Sequence, residues 1–196
     1  MERRRVIGLL AASPVIGLAG CATASERAPV QPARLEFYNH PPVRLRVSRI
    51  DIAAAAPGQT TEYLPPAMAP AAVLTRWAEQ RLQAVGGTAL ARYTIFDAAA
   101  RSEALPVTKG VRGVLRDEQA EKLIVSLGAR LDVREPSGSG LGIAYAQVMR
   151  FQTLPESASP ADRDQAWFDL METAANGFDE DMVARIRGDL VNLVVS

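Results

Sequence analysis

The chain has 196 residues, 48% of them hydrophobic, with 22 basic and 22 acidic side chains and a formal net charge of zero. That length and apolar content suit one domain of ordinary size with a packed core, and the balanced charge argues against a nucleic-acid surface. A single cysteine, Cys21, and a single histidine, His40, rule out an internal disulfide and leave zinc sites, iron–sulfur sites and histidine- or cysteine-based triads short of residues.

Arg3, Arg4 and Arg5 form a basic segment, Val6 to Ala19 is apolar and uncharged, and Gly17, Ala19 and Gly20 are small. Basic, then apolar, then small is the order of a secretory signal peptide. The apolar run is shorter than the about 20 residues a transmembrane helix needs, and Pro14 interrupts it. Leu18-Ala19-Gly20-Cys21 resembles the bacterial lipobox at all four positions. The resemblance implies cleavage between Gly20 and Cys21, a diacylglycerol thioether on Cys21 and acylation of the new amine. Residues 1–20 are then a lipoprotein signal peptide. The alternative is an ordinary signal peptide cut near Ala22 or Ala24. Each buried CH₂ contributes about 0.8 kcal/mol, so one acyl chain binds marginally and several hold effectively permanently. The three arginines also admit a twin-arginine leader. Loss of the leader leaves 19 basic against 21 acidic residues, a net charge of −2, with lysine only at Lys109 and Lys122 and no polybasic stretch to assist the anchor. In enteric bacteria an aspartate after the lipidated cysteine retains lipoproteins at the inner membrane; Ala22 resembles the outer-membrane signal.

Residues 21–42 read as the lipidated cysteine and a Pro-rich tether, with Pro29, Pro32, Pro41 and Pro42 and no sustained period. Leu35, Phe37 and Tyr38 are apolar enough to pack at the edge of the domain. His40 reads as a surface or edge histidine, with a pH-sensing or ligand role as the alternative. A single domain over 43–196 follows. Val43, Leu45 and Val47 alternate with polar residues and Ile50 and Ile52 fall on the other parity, which predicts a strand bulged near Ser48-Arg49. A long connection containing Pro57-Gly58 and Pro65-Pro66 leads to Pro70, a good first helical residue. Leu74, Trp77, Ala78, Leu82 and Val85 then recur at helical spacing opposite Arg76, Glu79, Gln80 and Gln83, and Gly86-Gly87 is the expected stop.

A strand from about Ala89 to Ala104 carries Tyr93, Ile95 and Phe96. Asp97 within it reads as an outward carboxylate paired with an arginine, a buried functional group being the alternative. The connection from Leu105 to Gln119 is polar, with Asp117 capping a turn. Leu123, Val125, Leu127, Leu131 and Val133 alternate with Lys122, Ser126, Arg130, Asp132 and Arg134, the pattern of a half-buried strand. Ser137-Gly138-Ser139-Gly140 turns the chain into a strand bearing Leu141, Ile143, Tyr145, Met149 and Phe151, with Gly142, Ala144, Ala146 and Arg150 on its other face. No Gly-Lys-Ser/Thr follows the turn, so it is not a phosphate loop. Ser159 caps and Pro160 opens the last helix. Trp167, Leu170, Met171, Ala174, Phe178, Met182, Ile186 and Leu190 share one face through Gly177. This predicts one long helix to about Leu193, or two broken at Gly177. Asp179, Glu180 and Asp181 diverge around a helix and read as a solvated face rather than a metal cluster.

The order predicts an α+β domain: an about four-stranded, mostly antiparallel sheet (β-α-β-β-β-α) with two helices packed on one face. The opposite face is expected to carry Ser126, Gly128, Arg130, Gly142, Ala144 and Ala146. This order, with Trp77-Ala78-Glu79 on the first helix, resembles the lipopolysaccharide-assembly lipoprotein and the auxiliary lipoproteins of ABC-type lipid transporters. The stretch from Arg76-Trp77-Ala78-Glu79-Gln80-Arg81-Leu82 to Asp97, with the Arg163–Trp167 helix start, looks closer still to uncharacterised envelope lipoproteins of Gram-negative bacteria. That family brings a neighbourhood and no activity.

The expected function is a non-catalytic adaptor or auxiliary subunit of an envelope transport or assembly system. It would be held at the periplasmic side of a membrane by acylated Cys21, the outer rather than the inner one. It would grip an envelope protein through Arg130, Ala144 and Ala146 or through a strand edge. The alternative is a carrier of lipid or another small ligand, its cavity walled by Trp77, Tyr93, Tyr145, Trp167 and Phe178. No cofactor, metal or nucleic acid is expected, and no serine in the 137–140 turn or at Ser159 has an activating neighbour that would mark an enzyme.

Overall fold

The computed structural model describes residues 34–53, 62, 64–106 and 118–195. Four strands make the larger sheet: β2 (Arg49–Ala53), β4 (Leu90–Ala104), β5 (Gln119–Arg134) and β6 (Gly140–Pro155), in spatial order β2-β4-β5-β6. β4, β5 and β6 form an antiparallel meander, while β2 runs parallel to β4. The parallel pair is joined by a crossover containing helix α1 (Pro70–Arg81), as a parallel connection requires. Helix α2 (Pro160–Asp189) follows β6. The fold is α+β, as the element order implies.

A second sheet was not expected. β1 (Val43–Leu45) pairs parallel with β3 (Leu82–Ala84) and antiparallel with β7 (Val194–Val195). It corrects two expectations. The parity change after Val47 is not a bulge: the chain leaves the small sheet after Leu45 and enters the large one at Arg49. Helix α1 also stops at Arg81, well before Gly86-Gly87, because Leu82 to Ala84 bond to β1 instead. The two glycines serve a turn, with φ of 101° and 121°, where a side chain would be strained.

Residues 34–42, expected as tether, lie against the folded body. Leu35 and Phe37 are buried. Phe37 donates its backbone N–H to Gln80 Oε1 at 2.6 Å. Arg76, expected on the polar face of α1, is buried, with Nη1 3.0 Å from the Leu35 carbonyl and Nη2 3.2 Å from that of Ala67.

Helix α2 runs unbroken through Gly177, its start fixed by a capping box. Asp162 N–H donates to Ser159 Oγ at 3.2 Å, and Ser159 N–H donates to Asp162 Oδ2 at 2.9 Å. Its apolar face meets the core: Trp77 stacks on Tyr93 with centroids 5.7 Å apart and meets Phe178 edge-on at 5.2 Å. Asp179 is no solvated carboxylate. It is buried and accepts from Trp77 Nε1 at 2.7 Å, Arg81 Nε at 2.6 Å and Arg81 Nη2 at 3.2 Å. Arg81 Nη1 reaches the Pro41 carbonyl.

The faces of β6 are the reverse of what residue size suggests. Ala144 and Ala146, with Val148 and Leu154, are buried, and Leu141, Ile143, Tyr145, Met149 and Phe151 stand out. The reason is the close approach of α2: a Cβ on Gly142 would stand 2.5 Å from Leu190 Cδ2 and one on Gly177 3.0 Å from Arg150 Nη2. Small residues let the helix sit down on the strand. Strand β5 departs from a half-buried pattern too, since Leu123 to Ala129 are buried throughout as the middle of the meander.

At its N-terminal end α2 is tied down by Arg163, whose Nη2 lies 2.8 Å from both Glu62 Oε2 and Glu121 Oε1. The Ser102 hydroxyl and then Arg163 hold Glu62 below the usual carboxylate range, and Arg163 does the same for Glu121. A carboxylate whose folded pKa is depressed adds stability above its unfolded pKa and loses it as pH falls through the folded value. Stability read by urea unfolding at stepped pH is therefore expected to fall as pH drops below the ordinary carboxylate range, with a shallower slope in Arg163→Gln. A larger effect is expected from Asp179→Ala, which strands the Arg81 guanidinium in the core. Urea unfolding is expected to read a loss of about 3–5 kcal/mol.

Candidate functional site: the open sheet face

The helices cover one face of the large sheet. The other face carries Phe96, Leu141, Ile143, Tyr145, Met149 and Phe151, each 42–65% exposed. Monomeric surfaces seldom gather so many large apolar groups, and contiguous patches above a few hundred Å² mark contact sites.

Local geometry explains how the face is built. A bulge between Ile95 and Asp97 interrupts the β4–β5 register. It turns Phe96 over Gly128, where an added Cβ would come within 2.7 Å of the ring. Asp97 then points along the same face. It takes hydrogen bonds from Ser126 Oγ and from Gln147 Nε2, the latter at 2.8 Å. The partner is thus a serine–glutamine pair spanning three strands, not the arginine expected from sequence. Lys122 Nζ stands 4.6 Å over the Phe151 ring, a cation–π contact that still leaves the ring open to solvent.

At one end of the face lies an open groove of about 670 Å³. Its charged lining is Arg92, Arg130 and Arg134 against Asp51, Asp132 and Glu135. Arg130 Nε binds Asp132 Oδ2 at 2.7 Å. Cations and anions balance, so the groove neutralises itself and has no excess charge with which to hold an ion.

The residues expected to share a contact surface are split. Arg130 lies on the open face, half exposed, while Ala144 and Ala146 are 0% and 4% exposed beneath α2 and unavailable to a partner in the folded chain. The signal was present in the alternation of Gly142, Ala144 and Ala146 with bulky neighbours. Residue size points the large side chains inward, whereas α2 covers the small ones. The aromatics expected to wall a cavity are dispersed: Trp77, Tyr93 and Phe178 fill the core against each other, Trp167 is buried on α2, and Tyr145 is outside. Burial pushes the Tyr93 phenol well above its ordinary pKa, so it stays neutral, and its hydroxyl has no hydrogen-bond partner among the described residues. His40 sits half exposed at the domain edge, Nδ1 3.9 Å from Asp179 Oδ2. Gly20, Cys21 and Asp117 lie outside the described residues.

No family model and no curated protein matches the chain. Among solved structures it is similar to a minor lipoprotein from Acinetobacter baumannii at 10% identity and a TM-score of 0.37, over 80% of this chain and 99% of that one. Protein XCC0632 of Xanthomonas campestris, of family DUF330, is similar at 12% identity and a TM-score of 0.30, over 79% of this chain and 92% of that one. The rare lipoprotein B of Shewanella oneidensis is similar at 9% identity and a TM-score of 0.30, over 69% and 93%. Likeness this slight carries no argument from those proteins to this one.

The Phe96–Gly128 stack gives the face its shape, and Gly128→Val is expected to expel the ring. Thermal or urea unfolding is expected to read a loss of about 1–3 kcal/mol, the usual cost of overpacking.

Proposed function

We propose that this chain is a bacterial lipoprotein, held at the periplasmic side of the outer membrane through acylated Cys21. We read it as a non-catalytic adaptor or auxiliary subunit of an envelope transport or assembly system. The lipobox Leu18-Ala19-Gly20-Cys21 and Ala22 support the anchor and its membrane. The observation that carries the adaptor reading is the open face, where large apolar side chains stand in solvent although the helices on the other face fill the core without them. Phe96, Tyr145 and Phe151 supply contact area at low entropic cost, Met149 adds an adaptable apolar group, and Arg130 with its neighbours supplies polar register at one end. A lipid anchor would raise the local concentration of this face near a membrane partner. Gly20 and Cys21 keep the cleavage and lipidation roles, while Arg130 alone of the three expected contact residues retains a place in the site.

Two measurements test this on the full chain in cells. Wild type is expected in the detergent-released membrane fraction and Cys21→Ala in the aqueous one; wild type recovered in buffer alone refutes the anchor. A photo-crosslinking residue at Phe96 is expected to capture an envelope protein, with the adduct lost in Tyr145→Glu. Silence at Phe96, or an adduct indifferent to Tyr145→Glu, refutes this face as the contact.

A further inference from the structure

Strand β6 ends the large sheet, and among the described residues it pairs with β5 alone. It is 16 residues long. A long apolar edge of this kind is a template for another strand unless it is guarded by charge, proline or a bulge. The guards here are slight. Positions 141, 143, 145, 147, 149 and 151 carry Leu, Ile, Tyr, Gln, Met and Phe, with no charge. The two irregularities in pairing with β5 lie at the ends, opposite Gly140–Gly142 and opposite Leu154–Pro155, and the proline is the last residue, Pro155. The one charge between these limits is Arg150 on the opposite face, its Nη1 3.0 Å from the Met149 carbonyl.

We propose that β6 pairs antiparallel with β6 of a second copy of this chain, in the register centred on Gln147. That register is selected by the side chains. About Gln147, Gln faces Gln, Tyr145 faces Met149 of the second copy, and Ile143 faces Phe151. These are aromatic–thioether and aromatic–β-branched pairs of the favourable kind. Centring on Tyr145 sets Gln147 against Ile143, and centring on Met149 sets it against Phe151, so either shift by one repeat mismatches polar with apolar. The operator is a two-fold axis normal to the sheet, so the contact is isologous and closes as a dimer. The two open faces then join into one eight-stranded surface.

Leu141, Ile143, Tyr145, Met149 and Phe151 are each about half exposed. Edge pairing covers the unpaired backbone of β6 and the flanks of these side chains that turn to the second copy, and leaves their outer surfaces on the joined open face. The inference stands on the edge itself and does not need the lipid anchor.

Cysteine pairing in cells producing the full chain tests the register. Opposed residues in an antiparallel pair lie about 5.5 Å apart between Cα atoms, inside the range a disulfide spans. Residues offset by four lie roughly 14 Å apart and cannot join. Under mild oxidant, Gln147→Cys is expected to give a disulfide dimer that peptide mapping places at position 147. Tyr145→Cys and Met149→Cys are expected to crosslink when produced together and to stay uncrosslinked when produced singly. Wild type, whose sole cysteine is Cys21, sets the background. A wild-type dimer through Cys21 would count against the anchor and leave this test readable. No dimer through position 147 in protein that accumulates like wild type overturns the proposal. Equal crosslinking of the single variants at 145 and 149, or adducts at 147 only with other proteins, overturns it too.

Discussion

The buried carboxylate of Asp179 is the point on which the packing of this domain converges. It sits in the middle of α2 and meets the end of α1 through Arg81 and the heart of the core through Trp77. Arg81 in turn holds the carbonyl of Pro41. One group therefore links both helices, the aromatic core and the segment leading into β1. A charge taken out of water is costly unless its partners are well placed. Here three donors, all from α1, meet the two oxygens, so the carboxylate is satisfied only when α1 and α2 are both in position. That makes it a device for specifying one arrangement of helices as much as a source of stability.

The second constraint is steric and lies one layer away. Helix α2 buries Trp167, Met171, Phe178 and Met182. With that much bulk on the helix, the strand beneath must be thin, and Gly142, Ala144 and Ala146 make it so. Because successive strand residues point to opposite faces, the large residues between them have nowhere to go but outward. The exposed apolar face is thus the reverse side of close helix packing.

Sequence alone was informative where the period was long and local. The capping box at Ser159, the unbroken apolar stripe of α2, the Pro70 helix start and the meander of β4, β5 and β6 all follow from patterns within a single element. It misled wherever a residue's environment is set by a distant partner. Arg76 and Asp179 look like solvent-facing charges on their own helices and are buried by residues 41 and 98 positions away. The three-residue strands of the small sheet are too short for a period and exist only because β1 meets segments from both later parts of the chain. At the candidate site, Arg130 lies on the open face, half exposed, and Ala144 and Ala146 are buried; alternation reports two faces and does not say which is covered.

That ambiguity bears on how the molecule works. A strand with small residues on one side and large on the other can bury either side, and the choice falls to what packs on it. Within the chain α2 takes the small side, through contacts continuous from Ala166 to Leu190. The large side is then left exposed to solvent. A surface of Phe, Tyr, Met and Ile kept apart from the core can be changed without unfolding the domain, since none of those side chains closes the Asp179 knot or supports α2. The packing of α2 thus rests on one face of the sheet, and the large side chains of the other face stand outside it.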